Sequence, residues 1–268
     1  MARFLIINDS LAFTECVLWS RIMVYVNTPR RVSGDFPRAQ PSDIDDELHR
    51  RLIIALGRSV GASHLAVQAL LQGAANDPQL RRDLLVGIDD QLRNTSLVLD
   101  NVVQFNVLRR GALILDLESI NLQRWLPPLL GKWRSMALRR GLLWREQLVS
   151  ESLLVHVDAE RLAQVISNLL SNTIQYTPVD GTVVVISGNT ATDAWIRIDN
   201  TGPGLTSEER QRVFEPFFAG ANQGAFPKGV GLGLVVAEWL VRAHNGRIEF
   251  ESDVGQGCSF TVWLPLEN

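Results

Sequence analysis

From Asp43 to Gly111, apolar residues recur at spacings of three and four. The first series runs through Leu48, Leu52, Leu56, Val60, Ser63, Val67 and Leu70, and the second through Leu80, Leu84, Ile88, Leu92, Thr95, Leu99, Val102 and Asn106. This period places one apolar stripe on each of two long helices. "GAANDP" (Gly73 to Pro78) interrupts the pattern, so residues 43–111 are expected to fold as an antiparallel helical hairpin. A lone hairpin leaves its stripe partly uncovered. A second copy would complete a four-helix bundle, which predicts a homodimer. The alternative is a hairpin packed on the chain's own C-terminal half.

The pattern changes after Gly111. "ILDLESINL" reads as a short strand and turn in a connector over 112–122. Beyond it, helical and alternating segments mix, which makes the fold class α+β. Helices are expected near 123–140, from Asp158 through the run "QVISNLLSNTIQYTP" and over 234–245. Strands are expected near 142–147 and 153–157, then over 182–188, 193–199, 247–252 and 258–264. Residues 1–42 read as a short strand-rich segment ("RFLIIND", "RIMVYVN") and a proline-containing linker, with Ser42 able to cap the hairpin's first helix.

Composition narrows the classes of function. The net charge is −3 with no basic block, which argues against an extensive nucleic-acid surface. Cys16 and Cys258 lack metal-site spacing and fit a reducing compartment. No uninterrupted apolar run reaches membrane-spanning length, since "CVLWSRIMVYV" is broken by Arg21. The N-terminus lacks the pattern of a signal peptide, so a cytoplasmic location is expected.

Three stretches could carry chemistry. Asn168 and Asn172 fall one turn apart on one helix face, behind Asp158 as a candidate N-cap. Their amide oxygens are hard, neutral ligands suited to Mg²⁺; the alternative is a pair of buried amides bonded to neighbouring backbone. "IDNTGPGL" (198–205) ends a strand in Gly202 and Gly204, where the backbone can turn tightly. "KGVGLGLVVAEWLVRAHNG" (228–246) leads from Lys228 through Gly229, Gly231 and Gly233 into a helix, and a helix N-terminus flanked by glycines can hold phosphate.

Taken in order with "VFEPFF" (213–218) and "GQGCSFTVWLP" (255–265), these stretches resemble the ATP-binding domain shared by sensor histidine kinases, type II topoisomerases, heat-shock chaperones and mismatch-repair ATPases. The phenylalanine-rich element and the closing strand look specifically like histidine kinases. The resemblance covers roughly 123–268, and the preceding "VLDNVVQFNVLRRGALILDLESINL" is similar to that family's dimerisation domain. It implies a two-layer α/β sandwich that binds ATP and Mg²⁺. Asn172 would hold the metal with help from Asn168, and Tyr176 would lie near the adenine. Gly202 and Gly204 would shape the pocket, while Lys228, Gly229, Gly231, Gly233 and Leu234 would border the phosphates, with 219–228 as a lid. The implied function is transfer of the γ-phosphate to a histidine in a two-component phosphorelay. The implied partners are a second copy, a response-regulator receiver domain and a separate sensor or kinase.

The sequence departs from that family at four places. The adenine-reading position, usually Asp, is Asn200, which can still accept from the adenine amino group. Gln175 replaces a common Lys or Arg, and the lid has no basic residue before Lys228. The phospho-acceptor motif is missing: matching the hairpin puts Ile53 or Ile54 at its place. Among the four histidines, His64 and His49 lie on the right helix and are the candidate acceptors, His64 the stronger; His156 and His244 read as structural. These gaps leave a second reading, an ATP-binding pseudokinase or dimerisation scaffold that regulates a partner.

Overall fold

The computed structural model describes residues 41–218, 220 and 229–267. The expected strands over 1–32, the linker after them, Lys228 and all of the 219–228 segment except Gly220 lie outside these residues. Helix α1 (Pro41–Leu71) and helix α2 (Pro78–Arg109) form the hairpin, joined by a 3₁₀ turn at Ala74–Asn76. Ser42 falls inside α1 rather than ahead of it. Asp77 starts α2, its side chain accepting the Gln79 and Leu80 N–H groups at 2.9 and 3.1 Å, with Pro78 in the first turn where no N–H is needed.

The hairpin is pinned along its length by polar contacts. Ser59 and Thr95 share a hydroxyl–hydroxyl bond of 2.5 Å, and Arg109 donates to Asp45 at 2.7 Å. Against these contacts run two rows of exposed apolar residues at seven-residue spacing. Ile53, Val60 and Val67 form the row on α1; Leu85, Leu92 and Leu99 form the row on α2. Ile53 and Val60 are 71% and 63% exposed, a seam with no apolar cover among the described residues. The expectation that nothing in the chain is long and apolar enough to span a membrane needs correction. Within the helical stretch Asp43–Leu71 an 18-residue window meets that criterion with a mean hydropathy of 1.2, because its apolar residues are spread along a helix instead of forming an unbroken run.

The C-terminal half opens with strand β1 (Glu118–Asn121), helix α3 (Leu122–Arg139) and strand β2 (Leu143–Gln147). Strand β3 (Leu154–Val157) and helix α4 (Ala159–Tyr176) follow, then strands β4 (Thr182–Asn189) and β5 (Asp193–Asn200). Helix α5 (Ser207–Arg212), helix α6 (Gly233–Ala243), strand β6 (Arg247–Asp253) and strand β7 (Gly257–Pro265) complete it. Strands β1 and β3 pair antiparallel; the other five form one sheet in the order β2-β4-β5-β7-β6, parallel only between β2 and β4.

Alternation along β4, β5 and β7 sends Val183, Val185, Ile196, Ile198, Phe260 and Val262 to one face, where all are buried with α4 and α6. This is the expected two-layer sandwich. Helix α5 was not anticipated, because one and a half turns give no period to read. A reciprocal cap defines it instead: Thr206 accepts the Glu209 N–H and Glu209 accepts the Thr206 N–H.

The hairpin's base belongs to the same core. Phe105 and Leu108 of α2 are fully buried, and Phe105 stacks on Trp239 of α6 with ring centroids 5.5 Å apart and planes 12° off parallel. Arg139 of α3 donates to Asp90 of α2 at 2.9 Å. So the alternative arrangement, hairpin against C-terminal half, holds at the base, while the exposed seam remains available to another partner.

Candidate functional site

Helix α4 is fixed at both ends. At its start Asp158 accepts the Arg161 N–H through one oxygen at 3.0 Å and the Asp116 N–H through the other at 3.1 Å. The Asp158 N–H donates to Nε2 of buried His244 at 3.0 Å, and His244 Nδ1 donates to the Leu240 carbonyl at 2.7 Å. At its end Arg140 donates to the Ile174 carbonyl at 3.2 Å, placing positive charge where the helix dipole is negative.

The two asparagines on this well-held helix meet different surroundings. Asn168, 3% exposed, forms a reciprocal amide pair with Asn101 of α2: each Nδ2 donates to the other's Oδ1 at 2.8 Å. Gln164 adds a longer contact to Asn101 at 3.4 Å. Asn172, one turn on, is half-buried, and its amide has no hydrogen-bond partner among the described residues. In this arrangement only Asn172 keeps its oxygen open to a metal ion.

Facing them, Gly233 begins α6, and a side chain there would come within 3.6 Å of both the Asn101 and Asn168 amides. The first turn of α6 has no side-chain cap, so its N–H groups are available to an anion. Gly231 is held at φ 79°, where a Cβ would meet the Phe217 backbone at 2.8 Å, and its carbonyl accepts the Phe217 N–H at 2.8 Å. Only glycine fits there. Gly229 is open, and Leu234 packs half-buried on the core.

The opposite wall comes from the end of β5. Asn200 is 7% exposed and its Oδ1 accepts the Gly202 N–H at 2.7 Å. Gly202 lies so close to Asn200 and to the Tyr176 carbonyl that a Cβ would stand 2.7 and 2.9 Å from them. Tyr176 is thereby placed beside the Gly202 turn, and Gly204 packs on the Asp253 backbone.

The structure sets Gly233 against Asn168 and Gly202 against both Asn200 and Tyr176, with Asn172 one turn beyond Asn168 on α4; Gly204 lies against Asp253, and Gly229, Gly231 and Leu234 lie on the chain that leads into and opens α6. It does not bring His64 to them: that residue is exposed on α1, its ring bonded to Gln68 at 2.9 Å. Ile53 and Ile54 occupy the place matched to the acceptor, Ile53 the more exposed of the two.

Three participants escaped the sequence reading: Asn101, Phe105 and Arg51. The Arg51 guanidinium lies 5.6 Å from the Phe217 ring centroid, and Phe105 meets the same ring edge-on at 6.1 Å. The phenylalanine-rich element thus touches both hairpin helices. The one advance signal was Asn101 itself, a polar residue within "VLDNVVQF".

No cluster of three or more His, Cys, Asp or Glu side chains able to hold a metal occurs among the described residues. The residues present still fit Mg²⁺, which binds through one or two protein oxygens plus substrate phosphates.

The sequence model of the histidine kinase-, DNA gyrase B- and HSP90-like ATPases matches residues 157–268. The chain is 28% identical over 227 residues to the adaptive-response sensory kinase SasA of Synechococcus sp. (strain JA-3-3Ab), covering 84% of this chain and 60% of that protein. It is 27% identical over 227 residues to the signal transduction histidine-protein kinase BaeS of Escherichia coli (strain K12), covering 84% and 46%. Among solved structures, Acinetobacter baumannii histidine kinase AdeS superposes with a TM-score of 0.55 at 21% identity over 80% of this chain and 98% of that one. The mycobacterial sensor histidine kinase MprB gives 0.50 at 26% identity over 56% and 99%. The chain spans 60% or less of the length of the SasA and BaeS proteins it matches.

Proposed function

From an ATPase domain that belongs to the histidine kinase-, DNA gyrase B- and HSP90-like family, we propose that this histidine-kinase-type ATP-binding signalling protein transfers the γ-phosphate of ATP to a histidine in a two-component system. The observation that carries the reading is the open amide of Asn172, on a helix fixed at both ends, one turn from Asn168, which lies against Gly233 at the uncapped start of α6.

In this reading Asn172 would hold Mg²⁺, and the α6 N–H groups with Gly229, Gly231 and Gly233 would receive the phosphate oxygens. Bound Mg²⁺ would neutralise charge on the β- and γ-phosphates. Tyr176, Asn200, Gly202 and Gly204 form the base pocket. Lys228 would add a positive charge at the phosphate border. The working unit is a cytoplasmic homodimer joined along the exposed hairpin seam, and the phosphate passes on to a receiver domain.

Ile53 and Ile54 favour a second reading for the acceptor: it is either a displaced histidine, His64 or His49, or a histidine on a separate kinase partner. Incubation with γ-labelled ATP and Mg²⁺ separates these. Acid-labile, base-stable label that disappears in Asn172→Ala and in one histidine variant identifies a self-acceptor. Label appearing only on an added histidine-containing partner identifies transfer in trans. ATP binding without label on either would turn the reading to a pseudokinase that acts through dimerisation.

A further inference from the structure

We propose that Arg51, on the hairpin's first helix, is a positioning residue for the phosphate border of the pocket: with Phe105 it clamps the ring of Phe217, and through that residue's backbone it holds the turn at Gly231. This rests on the reading of the site as a nucleotide pocket.

Phe217 has φ 66°, in the left-handed region where a Cβ crowds the backbone. A bulky residue stays there only when its surroundings over-determine it, and such strain gathers at ligand clamps and switch regions. Glycine would take the same backbone without strain. What phenylalanine adds at this position is its ring.

Backbone and ring are both engaged. The N–H donates to the Gly231 carbonyl at 2.8 Å, and a Cβ on Gly231 would meet Phe217 Cα at 2.8 Å. The ring meets both hairpin helices: the Arg51 guanidinium lies 5.6 Å from its centroid, and Phe105 approaches edge-on at 6.1 Å. Phe105 in turn stacks on Trp239, so α2 reaches both Phe217 and the helix that follows Gly231.

Arg51 is itself held in place. Its Nε donates to Glu47 Oε1, one turn back on α1, and its side chain is 20% exposed. Nη1 is buried and has no hydrogen-bond partner among the described residues. A guanidinium N–H withdrawn from water without an acceptor is costly, and the electron-rich face of the Phe217 ring offsets part of that cost.

The effect runs from the hairpin to the site. Gly231 stands two residues before Gly233, which opens α6 with no side-chain cap on its first N–H groups. Without the clamp, Phe217 relaxes toward the ordinary φ region, its N–H leaves the Gly231 carbonyl, and the turn before α6 loses its position. The contacts of Gly202 with Asn200 and Tyr176 do not pass through Phe217. A shift of α1 would therefore alter phosphate binding and spare the base pocket.

The test measures binding of Mg²⁺·ATP and of AMP to the full chain, by displacement of a fluorescent ATP analogue. The proteins are wild type, Arg51→Gln, Arg51→Lys, Phe217→Gly, and Phe217→Gly combined with Arg51→Gln. Arg51→Gln is expected to weaken Mg²⁺·ATP about tenfold and AMP by less than about twofold. Arg51→Lys, which keeps a cation over the ring, is expected to stay within about threefold of the wild type for both. In Phe217→Gly there is no ring to clamp, so adding Arg51→Gln is expected to change nothing further. Equal Mg²⁺·ATP affinity in Arg51→Gln and wild type overturns the inference. So does an equal loss for ATP and AMP, which marks a general effect on folding, or a tenfold loss from Arg51→Gln in the Phe217→Gly background. Failure of the wild type to bind Mg²⁺·ATP overturns the nucleotide-site reading, and this inference with it.

Discussion

The protonation of His244 is set by where its two ring nitrogens point. Nδ1 faces a carbonyl and must carry hydrogen; Nε2 faces the Asp158 N–H and must not. A second proton on the ring would put two N–H groups against each other at the start of α4. Burial pushes the His244 pKa below the ordinary histidine value; Arg161 acts in the same direction, and the Leu240 bond and Asp158 oppose them. The folded state therefore binds fewer protons than the unfolded chain between that lowered value and the unfolded value of about 6.5. The stabilisation is complete above about pH 6.5 and is lost as pH falls through the folded value. Thermal melting is expected to show a falling Tm from pH 7 to pH 5, with a flatter profile in His244→Gln at a lower starting Tm. A wild-type profile as flat as the variant's would remove His244 as the cause. Asn168 and Asn172 show how far one residue type can diverge within a turn: one amide is consumed by a neighbour and the other is left open.

At the scale of elements, the Asn101–Asn168 amide pair joins α2 to α4. Asn101→Ala leaves a buried amide unpaired and is expected to cost about 1–3 kcal/mol in urea unfolding. Adding Asn168→Ala should cost less than the sum of the two single changes, because the second removes the orphan made by the first. Additive losses would mean that the pair is incidental. The sequence announced α4, β4, β5 and β7 to within about two residues, since each has a strong period of its own and α4 has a capping aspartate. It could not announce this pair, whose members are 67 positions apart. The same limit applies to Asn200. Its type was legible, but that its oxygen accepts the Gly202 N–H follows only from the turn the two glycines make. The hairpin's second seam also went unseen, because Leu92 and Leu99 were counted in a single stripe that the fold divides between an inner and an outer face.

On the scale of the molecule, α2 serves two surfaces at once: Asn101, Phe105 and Leu108 face the sandwich, while Leu92, Leu99 and Val103 remain exposed. Covering the outer seam with a second copy is the change that would remove most exposed apolar surface. Val60→Glu with Leu92→Glu should therefore raise the dissociation constant of such a dimer by more than about tenfold, placing a charge at each of two exposed seam positions that the second copy would bury. Sedimentation velocity would show a monomer, with the sandwich still folded by circular dichroism. An unchanged sedimentation coefficient would exclude this seam as the interface.

One further consequence lies in the bond from the Phe217 N–H to the Gly231 carbonyl, which ties together two points on either side of the 219–228 stretch. With both points fixed by the domain itself, the entropy of closing the chain between them grows only with the logarithm of its length, about 0.6 kcal/mol for each doubling. Additions and deletions in that stretch should leave the stability of the sheet nearly unaltered. The chain between those two points can thus be lengthened or shortened without disturbing the sheet, a freedom that β5 and β7, locked in register from Asn200 to Cys258 onward, do not have.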